Sequence, residues 1–371
     1  MPPDRDDVLA GRIVSGPASA RLRVDRRDYV NFFGSGYLAL SNVPEIRSAV
    51  LTALSEGAPF ARPMSAILGA RDPIFDTVER VAGSACGTEA SVYFASGYLI
   101  GIVGLASFEH TFDLLALDES AHYSLRDAAK ITGIPSFTFQ HCDVDSLSDV
   151  LKKHVGPRQR PLVVTDGAYA TTGRIPPLTA YAALLAPYDG RLFVDDAHAF
   201  GVIGDNGRGA AEFCGVEHIA ATGSTLSKAF CAQGAVVGCS AGAAWRLRSL
   251  PAIRGACAGS PLSAVAATTS LEYVAARPDL RKNLRVMTDY FRSRIRSIGL
   301  NVIDSPAPIV SFKFGNQQNM RDLQRRLFER GIYIYHSTYI GAGPEGTIRC
   351  AVFRDHSKED IDALVDAISS A

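Results

Sequence analysis

The 371-residue chain has no excess of either charge: 38 basic and 38 acidic side chains give a formal net charge of zero. A balanced chain lacks the broad basic field that nucleic acid or an anionic membrane would need. No apolar run reaches the roughly 20 residues of a membrane-spanning helix. Residues 1–7 lack the basic-then-apolar order of a secretion signal. The seven cysteines are odd in number, and none is spaced as a CxxC pair. They read as reduced, mostly buried thiols, and a cytoplasmic protein is expected. Neither they nor the eight histidines show zinc-ligand spacing, so no metal is expected. Internal repeats and low-complexity tracts are also missing. What is present is a chain 47% hydrophobic, long enough for a large core and two or three lobes.

Its middle alternates short apolar runs with helical stretches, the pattern of a parallel sheet covered by helices. Strands are expected at 90–94, 114–117, 136–140, 161–165, 192–195, 219–222 and 235–239. Most are rich in Val, Ile, Leu and Phe, as strands buried on both faces should be. Helices are expected at 74–83, 124–131, 146–154 and 178–186, with polar Asp143 opening the third. The ends differ. Residues 21–33 read as two strands turned at Asp25-Arg26-Arg27. A long helical region at 261–296 is broken near Pro278. After it come strands at 309–314, 332–335 and 347–353 and helices at 320–330 and 357–370. The fold class is α/β: a large domain with a mainly parallel seven-stranded sheet between helices, and a smaller α/β domain. The expected boundaries are 1–42 for an N-terminal segment packing on the small domain, 43–241 for the large domain and 242–371 for the small one.

Two runs carry the chemistry. Val194-Asp195-Asp196-Ala197-His198 ends a predicted central strand, where open α/β sheets collect ligands. Thr225-Leu226-Ser227-Lys228 follows the next strand. An acid, a histidine and a lysine in this order suit pyridoxal phosphate (PLP), which needs a Schiff-base lysine and a carboxylate for its pyridine nitrogen. By itself the first run is better explained by a turn-capping aspartate and a satisfied core histidine; the lysine downstream reverses that. Lys228 would ordinarily be a solvated surface lysine. Its neighbours, however, are small, apolar or hydroxyl-bearing, and an amine held there loses its charge more easily. Thr225 and Ser227 offer hydroxyls to a phosphate. Ser96-Gly97-Tyr98, at a strand-to-helix junction, offers free N–H groups to the same anion. His122 is placed to stack on a cofactor ring, and a capping role explains it equally well on local grounds. Arg349, within an otherwise mostly apolar strand, needs a partner: a substrate carboxylate or an internal acid.

Taken together these residues resemble the α-oxoamine synthases of PLP-dependent fold type I, over nearly the whole chain. The runs 194–209 and 223–229 look like the family's pyridine-binding and lysine segments. Residues 31–41 and 347–356 are similar to its N-terminal and arginine segments. The resemblance implies that Lys228 holds PLP, Asp195 pairs with the pyridine nitrogen, His198 meets the phenolic oxygen and His122 stacks on the ring. It implies that Ser96, Gly97, Tyr98 and Thr225 surround the phosphate or ring, and that Arg349 grips the amino-acid carboxylate. The implied reaction condenses an amino acid with an acyl thioester, on CoA or a carrier protein, losing carbon dioxide to give an α-aminoketone. Homodimers with sites at the subunit interface are implied too. The chain departs from the family's pattern at Ser35-Gly36, on the substrate side, at residues 62–69, at Asp166 in place of the usual Glu, and at Ala258-Gly259 beside Ser260. Met64-Ser65-Ala66, residues 121–125 and residues 166–178 look more like the branch that makes long-chain α-aminoketone signals. The cofactor residues alone leave transamination, retro-aldol cleavage and decarboxylation open, since PLP supplies the carbanion in each.

Overall fold

Short β-branched and leucine-rich segments pair where both faces can be covered, and here they build a seven-stranded sheet. The computed structural model describes residues 7–61, 72–108, 111–255 and 259–370. In chain order the strands are β1 (Ala90–Phe94), β2 (Leu114–Asp118), β3 (Ser136–Phe139), β4 (Pro161–Asp166), β5 (Arg191–Asp195), β6 (Ala220–Thr225) and β7 (Ala235–Cys239). In space they run β1-β7-β6-β5-β4-β2-β3. Strands β2 to β6 pair in parallel, and β7 runs antiparallel to both β1 and β6. The expected α/β class with a mainly parallel seven-stranded sheet is what the chain adopts.

The sheet centre is set by close packing on glycine. Phe193 of β5 is fully buried, and a Cβ on Gly104 would come within 1.9 Å of its ring. Gly104 lies in the helix Ile100–Leu105. A side chain at that position would push the helix off β5, so the glycine fixes the depth of the strand that ends in Asp195. Val92, Phe94, Leu115, Val164 and Val237 complete this core, each contributing about 1.5–3 kcal/mol by burial. Asp143 caps the helix Val144–His154 by accepting the Ser146 N–H at 2.9 Å, as its polar start predicts.

The chain divides into two compact units. The larger, residues Val43–Tyr169 and Ile175–Arg277, holds the sheet and the helix Pro261–Ala275. The smaller gathers Met1–Asn42, Ala170–Arg174 and Pro278–Ala371. In it the strands Arg21–Val24 and Arg27–Asn31 form a hairpin. Its two turn residues, Asp25 and Arg26, have φ of 47° and 71°, as a tight hairpin turn requires. Neither is glycine; the Ile13 N–H and the Arg12 guanidinium hold the Asp25 carboxylate in place.

One expected strand divides. Residues 332–335 become Ile332–Tyr333, parallel to Val30 and Asn31, and Tyr335–Ser337, antiparallel to Thr347–Ala351. The two halves join different sheets, and Ile334 between them is fully buried. Local pattern could not show this, because the partners come from opposite ends of the chain. Among the described residues no helix is long and apolar enough to cross a membrane.

Candidate active site

The parallel strands β4 and β5 end side by side, with Asp166 opposite Asp195, and Asp195 in turn is opposite Gly223 of β6. Asp195 is only 4% exposed. One oxygen accepts the Ala197 N–H at 3.0 Å, and this is its only hydrogen bond among the described residues. Burial pushes its carboxyl up to about 6, while the Lys228 ammonium pulls the other way. Lys228 sits in the loop between β6 and β7. Bonds from Leu226 N–H to Gly234 O and from Ala232 N–H to Leu226 O close that loop. Lys228 Nζ lies 2.7 Å from His198 Nε2. The acid, imidazole and amine expected from two separate runs are thus brought to one end of the sheet.

The adjacent Asp196 does something else. Its Oδ1 accepts the Ala210 N–H at 2.9 Å, and its Oδ2 is buried with no partner. A Cβ on Gly167 or Gly209 would lie within 1.9 or 2.3 Å of its oxygens. Burial pushes its carboxyl well above the usual range, and glycines wall it in.

The expected phosphate residues also converge. A Cβ on Gly97 would meet Thr225 Cβ at 2.9 Å, so only glycine allows this approach. Thr225 Oγ1 and Ser227 Oγ lie 2.8 Å apart, and the Ser227 N–H points to Thr225 Oγ1 at 3.2 Å. Ser96 accepts the Tyr98 N–H at 3.3 Å and opens the 3₁₀ turn Gly97–Leu99, ahead of the α-helical residues. Tyr98 is half-exposed and bonds the Asp127 carboxylate at 2.5 Å.

His122 is the N-cap of the helix Tyr123–Thr132, with its Nδ1 accepting the Ser124 N–H at 3.2 Å. The capping alternative is therefore realised. Its own N–H donates to Asp166 Oδ2 at 2.9 Å. Burial and the nearby Lys228 charge hold the imidazole below its usual range, that is, neutral.

In the smaller unit Arg349 is 6% exposed. Nε donates to Ala170 O at 2.6 Å, NH1 to Gly34 O at 3.1 Å and NH2 to the Tyr37 hydroxyl at 3.5 Å, and the guanidinium lies 5.7 Å from the Phe33 ring centre. All three partners are neutral oxygens. No acid pairs with it among the described residues, so the internal-acid alternative is not realised. Ser35 follows Gly34 in the same bend and is half-buried. Sequence reading missed Tyr37 and Ala170 as partners of Arg349, because nothing local links them. It also missed the pair of buried Asp118 Oδ1 and half-buried His141 Nδ1 at 3.0 Å, which with Cys142 forms a His/Cys/Asp cluster. Asp118 is already engaged there by the Ser120 and Cys142 N–H groups. The departures at residues 62–69 and at Ala258 lie outside the described residues.

These residues fit PLP. Asp195, a buried residue, offers a second carboxylate oxygen that accepts no hydrogen bond among the described residues, as a protonated ring nitrogen requires. Lys228 offers the amine. The Gly97–Thr225 approach leaves room for no side chain, while Thr225 and Ser227 supply hydroxyls for a phosphate.

The family model Aminotransferase class I and II matches residues 63–368. The 8-amino-7-oxononanoate synthase of Alkaliphilus metalliredigens is 29% identical over 95% of this chain and 90% of its own. That of Geotalea daltonii is 29% identical over 96% and 92%. Among solved structures, serine palmitoyltransferase of Sphingomonas wittichii matches with a TM-score of 0.88 at 23% identity, over 97% of this chain and 91% of its own. A serine palmitoyltransferase solved with PLP matches with a TM-score of 0.88 at 22% identity, over 97% and 92%. The fold is thus that of fold type I PLP transferases, as expected.

Proposed function

We infer the reaction from one premise: the chain belongs to the aminotransferase class I and II family, and its relatives are α-oxoamine synthases. It is a PLP-dependent C-acyltransferase that joins an amino acid to an acyl thioester, with loss of carbon dioxide, giving an α-aminoketone. The observation that carries this reading is the buried Asp195 carboxylate, half unpaired, at the same sheet end as a lysine amine 2.7 Å from His198.

When bound, PLP supplies the electron sink for a carbanion at the amino acid's α-carbon. Lys228 Nζ holds the cofactor and then takes the α-proton as base. Asp195 would keep the ring nitrogen protonated, His198 would orient Lys228 and donate toward the phenolic oxygen, and His122 would stack on the ring. Ser96, Gly97, Tyr98, Thr225 and Ser227 surround the phosphate and ring. Arg349, a buried cation with only neutral partners, binds the substrate carboxylate. Ser35, beside Gly34, contacts the amino acid's side chain and restricts it to a small donor. The acyl donor is a thioester on CoA or a carrier protein. The working unit is a cytoplasmic homodimer with its sites at the subunit interface.

The purified protein should carry a visible PLP absorbance band that borohydride removes. It should release CoA thiol only when an amino acid and an acyl-CoA are both present, with a product mass equal to the condensation less carbon dioxide. A protein that takes up no PLP sinks the reading. Keto-acid formation without thiol release would make it an aminotransferase instead. Sedimentation at working concentration tests the dimer.

A further inference from the structure

Two carboxylates end neighbouring strands, yet only one of them is needed opposite a cofactor ring nitrogen. Asp166 and Asp195 face each other in register, and a bond of 2.8 Å from the Gly167 N–H to the Asp195 carbonyl locks the two strand ends together. Asp166 Oδ2 accepts the main-chain N–H of His122 at 2.9 Å across that gap. The imidazole is tied a second time by the Ser124 N–H on its Nδ1. The His122 backbone is therefore anchored to the sheet by Asp166 and its ring is fixed by the following turn.

We propose that Asp166 is a positioning residue of the cofactor site, which fixes the His122 imidazole by clamping its main-chain N–H. This rests on the reading of His122 and Lys228 as PLP residues. The titratable groups facing Asp166 are Asp195, Lys228, Asp118 and His122. Burial and the Asp195 charge push its carboxyl well above the usual range. The clamp uses only an accepting oxygen of Asp166. Asparagine has the same shape and the same accepting oxygen without a charge, and should replace it.

The test compares Asp166→Ala and Asp166→Asn in the PLP-loaded protein, with Asp166→Ser standing in if the alanine variant does not fold. The readouts are amide hydrogen exchange of the 118–125 segment, PLP affinity by absorbance, and the pH at which the cofactor band changes. Alanine should speed exchange at His122 and weaken PLP binding about 10-fold, the effect of one lost buried hydrogen bond. Asparagine should restore both and leave the band's pH midpoint unmoved. An asparagine variant as damaged as alanine, or with a shifted midpoint, would show that an ionised Asp166 is required and overturns the proposal. So does an alanine variant with unchanged exchange and affinity. If wild-type protein binds no PLP, the functional reading itself fails. If wild type binds PLP and the variants match it, only the Asp166 role fails.

Discussion

Among the described residues, the larger unit buries a carboxylate with no cation hydrogen-bonded to it, and the smaller unit buries a guanidinium with no acid paired to it. Asp195 has one N–H donor and a second oxygen that accepts none, while Arg349 has three neutral oxygens for its guanidinium. The contrast with Asp196 shows that this is specific to position. That acid, next in sequence to Asp195, is buried too, but the glycines around it leave no space for a ligand. Burial alone does not mark a site; a buried charge without a counter-charge is the better candidate.

The largest test of the comparison is Lys228→Ala. It should abolish the covalent cofactor band and lower kcat by at least about 10³-fold, since both the anchor and the base are lost. Thiol-release kinetics alongside the absorbance spectrum would check it. A variant that keeps the band would mean that another amine holds PLP.

Next comes Arg349→Ala. It should raise the amino-acid KM about 100-fold, the cost of removing one partner of a buried charged contact. The PLP spectrum should stay intact, because Arg349 belongs to the other member of the pair. Loss of the spectrum together with a fall in Tm would make Arg349 a structural residue.

A smaller effect is expected from Gly209→Ala. Its φ is 106°, and the added Cβ would lie 2.3 Å from Asp196 Oδ2. Strain and crowding should cost about 2 kcal/mol of stability, read as a lower urea midpoint. A neutral outcome would remove the claim that Asp196 is walled in.

The last test concerns acid. In the smaller unit His356 stacks on Phe32 at 4.2 Å, and its Nε2 is buried without a partner. Burial lowers its pKa to about 4, with the Asp360 charge opposing. A folded value below the unfolded one means that the unfolded chain binds the extra proton. Stability is then full above pH 6.5 and falls as pH drops toward 4, by about 1.4 kcal/mol per unit at the steepest. Asp195 runs the other way. Its raised value makes its contribution to the cofactor-free protein present in acid and lost as pH rises through about 6. Hydrogen exchange across pH 4 to 7 should show acid opening the small-unit core around Phe32, and His356→Gln should flatten that slope.

The pattern of short buried strands was enough to predict the seven-stranded sheet, because strands covered on both faces must be nearly continuous apolar runs. The small unit was less legible. Its single expected strand at 332–335 splits between two sheets, whose partners lie at opposite ends of the chain. The Asp195, His198 and Lys228 triplet could be read because each residue sits at or just after a strand end. The ties from Asp166 to His122 and from Arg349 to Ala170 join residues 44 and 179 positions apart. No local signal announces such bonds.

The sequence alone determined the elements, their order and the residue types that suit PLP, since periodicity, caps and strand-end acids are local properties. Only the tertiary structure decided which of two adjacent aspartates is walled in by glycines, that Arg349 meets no acid among the described residues, and that Asp166 accepts the His122 N–H. Those are questions of which groups remain unpaired once the chain is packed, and pairing between distant segments exists only in the fold.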